Sequence, residues 1–186
     1  MTKTARRRWT RELSSEVDGI VVGEAGPVLL HGYDPPAGGR WVDSAIPGKL
    51  ASLDRSSGEI LWVSPCEVGY GRGFGAGFGR ENDVIVLGPS SSGHRAVRMS
   101  LESGELLAVG EIETFDESVV SPDVCVCASA KRVFAIDSKT LEPKWSCAQR
   151  GQRYHHIGRV GQRVFAVFTH DATKKQGLLA LDARSG

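Results

Sequence analysis

The 186-residue sequence predicts an all-β protein, a β-propeller of about four blades forming part of a larger ring. Two observations predict it. A strand–turn–strand segment recurs four times, with anchor positions 54, 100, 137 and 182 separated by 46, 37 and 45 residues, a spacing of blade size. A second pair of strand-like runs lies upstream of each segment, which gives four short antiparallel strands per repeat. A β-sandwich shows similar strand spacing but would not repeat one hairpin.

The first hairpin is Leu50-Ala-Ser-Leu-Asp54-Arg-Ser-Ser57-Gly58-Glu-Ile-Leu-Trp62. The second runs from Val97 through Ser100 and Gly104 to Ala108, and the third from Val133 through Asp137, Thr140 and Leu141 to Trp145. The fourth comprises Leu178 to Asp182, Ser185 and Gly186. In three of them an apolar strand ends at Asp, whose carboxylate can hold the turn with Ser or Thr three residues on, and in the second Ser100 takes that place. Gly supplies a positive φ. The next strand of the first and third carries Trp, a large flat anchor for burial between sheets.

The upstream runs are 19–23 and 27–31, 73–79 and 83–87, 118–120 and 124–128, and 156–160 and 164–168. Gly, Asn, Asp or Pro stand between the runs of each pair, as turns require. The blades are expected near 9–62, 62–108, 108–145 and 145–186 within one domain of 1–186. Trp9 reads as the Trp of an earlier hairpin, because the next strand begins at a similar distance after it as after Trp62 and Trp145.

These residues resemble the pyrroloquinoline-quinone-like propeller repeat, whose signature is Ala-x-Asp-x-x-Thr-Gly-x-x-x-Trp, the tryptophan docking motif. Ser52-x-Asp54-x-x-Ser57-Gly58-x-x-x-Trp62 matches it, and Ala135 to Trp145 matches except that Leu141 replaces Gly. Ala180 to Gly186 matches as far as it runs, and the second repeat keeps only Gly104, so its blade is expected to dock less firmly. The resemblance covers roughly residues 9–186 and implies a ring of more blades, often eight. Three arrangements accommodate four: a fragment of a longer ring, a piece that closes its ring by self-association, or a small ring closed by the strand ending at Trp9.

Net charge is +1, which gives no bulk attraction to nucleic acid, and Arg6-Arg7-Arg8 reads as a solvated end. No run approaches the roughly 18 apolar residues of a membrane-spanning helix. The first residues lack the apolar core of an export signal, which predicts a cytoplasmic chain, or a periplasmic one if the natural start lies upstream. Cys66, Cys125, Cys127 and Cys147 form no CxxC pair, and Cys125 and Cys127 read as small buried hydrophobes.

Candidate chemistry is sparse. Asp54, Asp137 and Asp182 recur at one turn position and read as structural. Gly69 to Gly79 places Gly at every second residue but lacks the Gly-Lys-Ser/Thr of a phosphate loop. As a strand it offers one bare face to a neighbouring blade or a ligand, with Arg72 and Arg80 on the other. His155 and His156, adjacent in a strand, are expected on opposite faces and so unable to share a metal. His170-Asp171 reads as a surface loop. The long irregular stretch Gly32 to Gly48 carries Arg40 and Trp41, residue types enriched in binding hot spots.

The candidate ligand or partner contacts are therefore Arg40, Trp41, Arg72, Arg80 and His155. No catalytic, metal or cofactor residue is assigned. The resemblance implies three functions: a non-catalytic binding or scaffold module, part of a quinone-dependent dehydrogenase using pyrroloquinoline quinone and calcium, or a propeller of the outer-membrane assembly type. The second is disfavoured by the lack of an adjacent Cys pair and of mappable calcium ligands. The expected partner is another protein or further blades of the same ring, and no nucleic acid.

Overall fold

In the computed structural model the described residues are 8–13, 16–24, 26–33, 46–70 and 73–186. Every regular element among them is a strand. β1 (Glu16–Val22), β2 (Val28–Tyr33), β3 (Ile46–Leu53) and β4 (Ile60–Tyr70) form the first sheet. β5 (Gly75–Phe78), β6 (Asp83–Ser90), β7 (Gly93–Ser100) and β8 (Leu106–Ile112) form the second. β9 (Glu117–Val120), β10 (Val124–Ala128), β11 (Val133–Asp137) and β12 (Pro143–Cys147) form the third, and β13 (Gln152–Val160), β14 (Arg163–His170) and β15 (Gln176–Asp182) the fourth. Each sheet is an antiparallel meander in chain order, as short connections between sequential strands favour. Together they make a partial propeller, not a closed barrel.

The sheets stack face to face, and the first strands β1, β5, β9 and β13 run side by side through the stack. Three apolar cores fill the three junctions. Leu29, Leu50 and Val68 of the first sheet meet Val84, Val86, Val97 and Met99 of the second. Ile85, Leu87 and Ala96 meet Cys125, Cys127, Phe134 and Ile136. Val124, Val126, Val133 and Ala135 meet Tyr154, Val164 and Ala166. Consecutive residues of β6 and β10 thus serve opposite junctions, which explains why these strands read as continuous apolar runs instead of alternating ones. Cys125 and Cys127 are fully buried free thiols, with burial pushing Cys125 up to about 12, so they act as core hydrophobes.

The glycine ladder works in the second junction. A Cβ on Gly75 would stand 1.8 Å from Ser118 Oγ, and one on Gly77 would stand 2.9 Å from Val120. The bare face of β5 lets β9 approach, a packing role. On the other side, Phe74 meets the His31 ring at 4.6 Å.

Candidate functional site

The repeated turns have one geometry. Asp54 Oδ1 accepts from the Ser56 and Ser57 amides at 2.9 and 2.8 Å, Asp137 Oδ1 from Lys139 and Thr140 at 2.9 and 3.0 Å, and Asp182 Oδ1 from Arg184 and Ser185 at 2.8 and 3.0 Å. Ser100 does the same with its hydroxyl, at 3.2 and 3.3 Å. The amides and the Ser56 hydroxyl hold Asp54 down to about 2. Partial burial opposes ionisation of Asp137, but the Lys144 ammonium and the turn amides outweigh it and bring it to about 2 as well. These carboxylates are anionic braces, not acid–base groups.

Three of the four turns receive an indole from the preceding part of the chain. Nε1 of Trp9, Trp62 and Trp145 donates to Arg55 O, Leu101 O and Ala183 O at 2.9, 2.9 and 3.1 Å. Each ring lies over the turn glycine: a Cβ on Gly58 or Gly104 would stand 2.6 Å from it, and one on Gly186 3.2 Å. The third turn differs in both partners. Leu141, at φ 63°, replaces Gly, and Ala108 replaces Trp. Leu141 is 3% exposed and packs in one cluster with Ala108, so the leucine supplies the apolar bulk that the indole supplies elsewhere.

The turn side of the second to fourth sheets carries an open recess of about 590 Å³. The β5–β6 hairpin provides Arg80, Glu81 and Asp83, β7 provides Arg98, and the segment before β10 provides Asp123. The third turn, β12 and the fourth turn add Lys139, Lys144 and Arg184. Arg98 is the keystone. Its Nε donates to buried Asp83 at 2.7 Å, its Nη1 to Lys139 O at 2.6 Å, and its Nη2 reaches Glu81 at 3.3 Å. Lys139 meets Glu81 at 2.5 Å and holds that carboxyl below its usual range. Arg159 reaches across to Asp123 at 2.9 Å and lowers it likewise. Lys139–Glu81 and Arg159–Asp123, with the Arg98 bond to Lys139 O, tie sheet to sheet, while Arg98 pairs with Asp83 and Glu81 within the second sheet. Arg80 has no ion-pair partner among the described residues, so its guanidinium is available at the recess.

His155 lines a separate recess of about 320 Å³ with Glu117, Arg153 and His156. The expectation of two opposed rings is corrected here. A bulge between His155 and Ile157, with His156 at φ 35°, breaks the alternation, and the rings lie 6.5 Å apart on one recess. His155 bonds Thr169 at 3.0 Å and His156 bonds Glu117 at 2.6 Å. Arg80 and His155 are not brought together, while Arg40, Trp41 and Arg72 lie outside the described residues. Calcium needs about six to eight oxygen ligands. Among the described residues no group of three or more His, Cys, Asp or Glu is placed to hold a metal.

Sequence reading missed His31, which sits fully buried between the first two sheets. It bonds Asp18 at 2.6 Å and Val68 O at 3.0 Å. Burial alone disfavours the charged ring, but Asp18, Cys66 and the Val68 carbonyl outweigh it and raise the imidazole to about 9. The one available signal is a histidine within an apolar run.

The family model described as outer membrane protein assembly factor BamB matches residues 47–186. The chain belongs to this BamB-type family of PQQ-like repeats. No curated protein matches it by sequence. Among solved structures it is similar to BamB from Moraxella catarrhalis, at 14% identity and a TM-score of 0.56. That match covers 90% of this chain and 54% of the other, so the chain spans about half the length of that BamB. The computationally designed Ika4 protein matches at 11% identity and TM-score 0.61, over 96% of this chain and 99% of the other. The designed Ika8 protein matches at 14% and 0.52, over 91% and 50%. At such identities these structural likenesses bear on the fold alone.

Proposed function

We infer that this chain is a non-catalytic binding module that holds another protein, in keeping with the assembly-factor description of its family. The character of the turn-side recess carries this reading. Small-molecule sites are mostly apolar and enclose their ligand. This recess is lined by Arg80, Glu81, Asp83, Arg98, Asp123 and Lys139 among others, a charged, open surface suited to a polar segment of a partner protein. Most of its charges are already paired within or between sheets, and Arg80 is left to take a partner carboxylate in a two-pronged bond. The three indole contacts act on this reading as docking motifs that hold the blades, and so the recess, rigid.

A photoreactive amino acid at position 80, in cells assembling outer-membrane proteins, should give one discrete cross-linked product, whereas the same group at the exposed outer-strand position Leu61 should not. Equal labelling at both positions would remove the recess as the binding surface. Mixing the protein with pyrroloquinoline quinone and calcium should leave the quinone absorption unchanged; a shifted band would favour the dehydrogenase reading.

A further inference from the structure

The outer edge of the second sheet is built unlike those of its neighbours. β8 pairs with β7 on one side and has no strand beside its other edge among the described residues. A row of unpaired N–H and C=O groups is a template for a further strand, and proteins block such edges with Pro and with charged residues, Lys above all. β4, the outer strand of the first sheet, exposes Ile60, Leu61 and Val63, but Pro65 takes a donor out of its middle. β12, the outer strand of the third, opens on Pro143 and Lys144. β8 reads Leu-Leu-Ala-Val-Gly-Glu-Ile and carries neither Pro nor a basic residue. Its Leu106, Leu107 and Val109 are 44%, 49% and 42% exposed.

A groove of about 320 Å³ lies along β8 on the side of the third sheet. Ile112, Phe134, Ile136 and Trp145 line it, and Glu111 and Arg132 add charge. Apart from Lys144 it shares no lining residue with the turn-side recess. Alternate residues of β8 face this side: Ala108 and Ile112 pack on the core of the second junction, and a Cβ on Gly110 would stand 3.0 Å from Leu141. Val109 and Glu111 belong to the opposite face. The Glu111 side chain is 77% exposed, and its ion-pair contact among the described residues, to Arg95, is 4.0 Å long, while Arg95 is already bound to Glu67. We propose that β8 accepts an extended segment of a partner protein as a fifth strand of the second sheet. One set of the segment's alternate side chains enters the groove against Phe134 and Trp145, and the other lies across from Val109 and Glu111. The open backbone edge selects an extended chain over a helix or a folded surface. The exposed Leu107 and Val109 select an apolar, β-forming segment, and Glu111 selects a Lys or Arg at the position opposite it. This surface is independent of the one at Arg80.

The probe is a fluorescein-labelled peptide of about seven residues, alternating Val and Thr with one Arg, followed by anisotropy. It should bind the full chain saturably, and at saturation amide exchange should slow in β8. Methylating one alternate set of the peptide's amides should abolish binding and methylating the other set should not, because only one set faces β8. Replacing the peptide's Arg by Glu should weaken binding about two- to fivefold, the effect of one exposed charge pair, and Glu111→Lys should reverse that preference. Tryptophan fluorescence verifies that the variant is folded. Should it fail to fold, the methylated peptides on the wild-type chain still decide. Absence of saturable binding, the same response to both methylated sets, protection in β4 instead of β8, or a charge preference that Glu111→Lys does not reverse would each overturn the proposal.

Discussion

Trp62 shows how much of a junction rests on one side chain. Its ring covers Gly104, its Nε1 donates to Leu101 O at 2.9 Å, and part of its surface remains in solvent. Trp62→Ala should therefore cost about 3 kcal/mol, the lower end of the range for a buried aromatic, read as a lowered denaturation midpoint. An unchanged midpoint would remove the indole from the energetics of the junction. His31 makes the opposite kind of contribution, an ionic one. Its pKa is raised from 6.5 to about 9 in the folded chain, so the folded state holds the proton more tightly than the unfolded state. The resulting stability is fully present below pH 6.5 and is lost as pH rises through 9, a change of about 3 kcal/mol. Urea midpoints measured between pH 6 and 10 should show this fall, and His31→Gln should flatten it. A parallel fall in the variant would place the cause elsewhere.

At the scale of the element, the hairpins were legible in the sequence because turn chemistry is local. Asp, Ser and Gly at fixed offsets act on amides two to four residues away, and the structure repeats that arrangement at each anchor position. What the sequence hid lies between elements. The two departures from the repeat, Ala108 and Leu141, are visible singly, but their pairing depends on which strand faces which turn. Arg98 stands between Val97 and Met99 in an apolar strand and its partners come from two separate segments, the β5–β6 hairpin and the third turn, so no spacing announces it. The histidine pair was misjudged because a bulge, which no local residue demands, resets the alternation. The exchange at the second junction is testable as a unit. Ala108→Trp should clash with Leu141 and destabilise by about 1–3 kcal/mol, while Ala108→Trp with Leu141→Gly should recover most of that loss. Additive effects in the double-mutant cycle would show that the two side chains do not share the site.

Across the whole molecule, burial falls from the middle of the stack outward. β6 and β10 are buried on both faces, whereas β1 and β15 alternate between exposed and half-buried residues. Opening energy follows such differences in buried contact. In a dilute sample, amide exchange should be slowest in β6, β7, β10 and β11 and faster in β1 and β15. Uniform exchange throughout the chain would mean that the sheets open together.

The Leu141–Ala108 exchange also bears on how such a chain can change over evolutionary time. Three of the four turns receive an indole on glycine, and one presents a leucine to an alanine. The modules are therefore not interchangeable copies. Moving the second module ahead of the first or fourth would leave a bare glycine opposite alanine, and inserting one of the others before the third would drive an indole into leucine. Duplication or reshuffling by recombination is then constrained at this seam, and the order of the modules is written into their contacts.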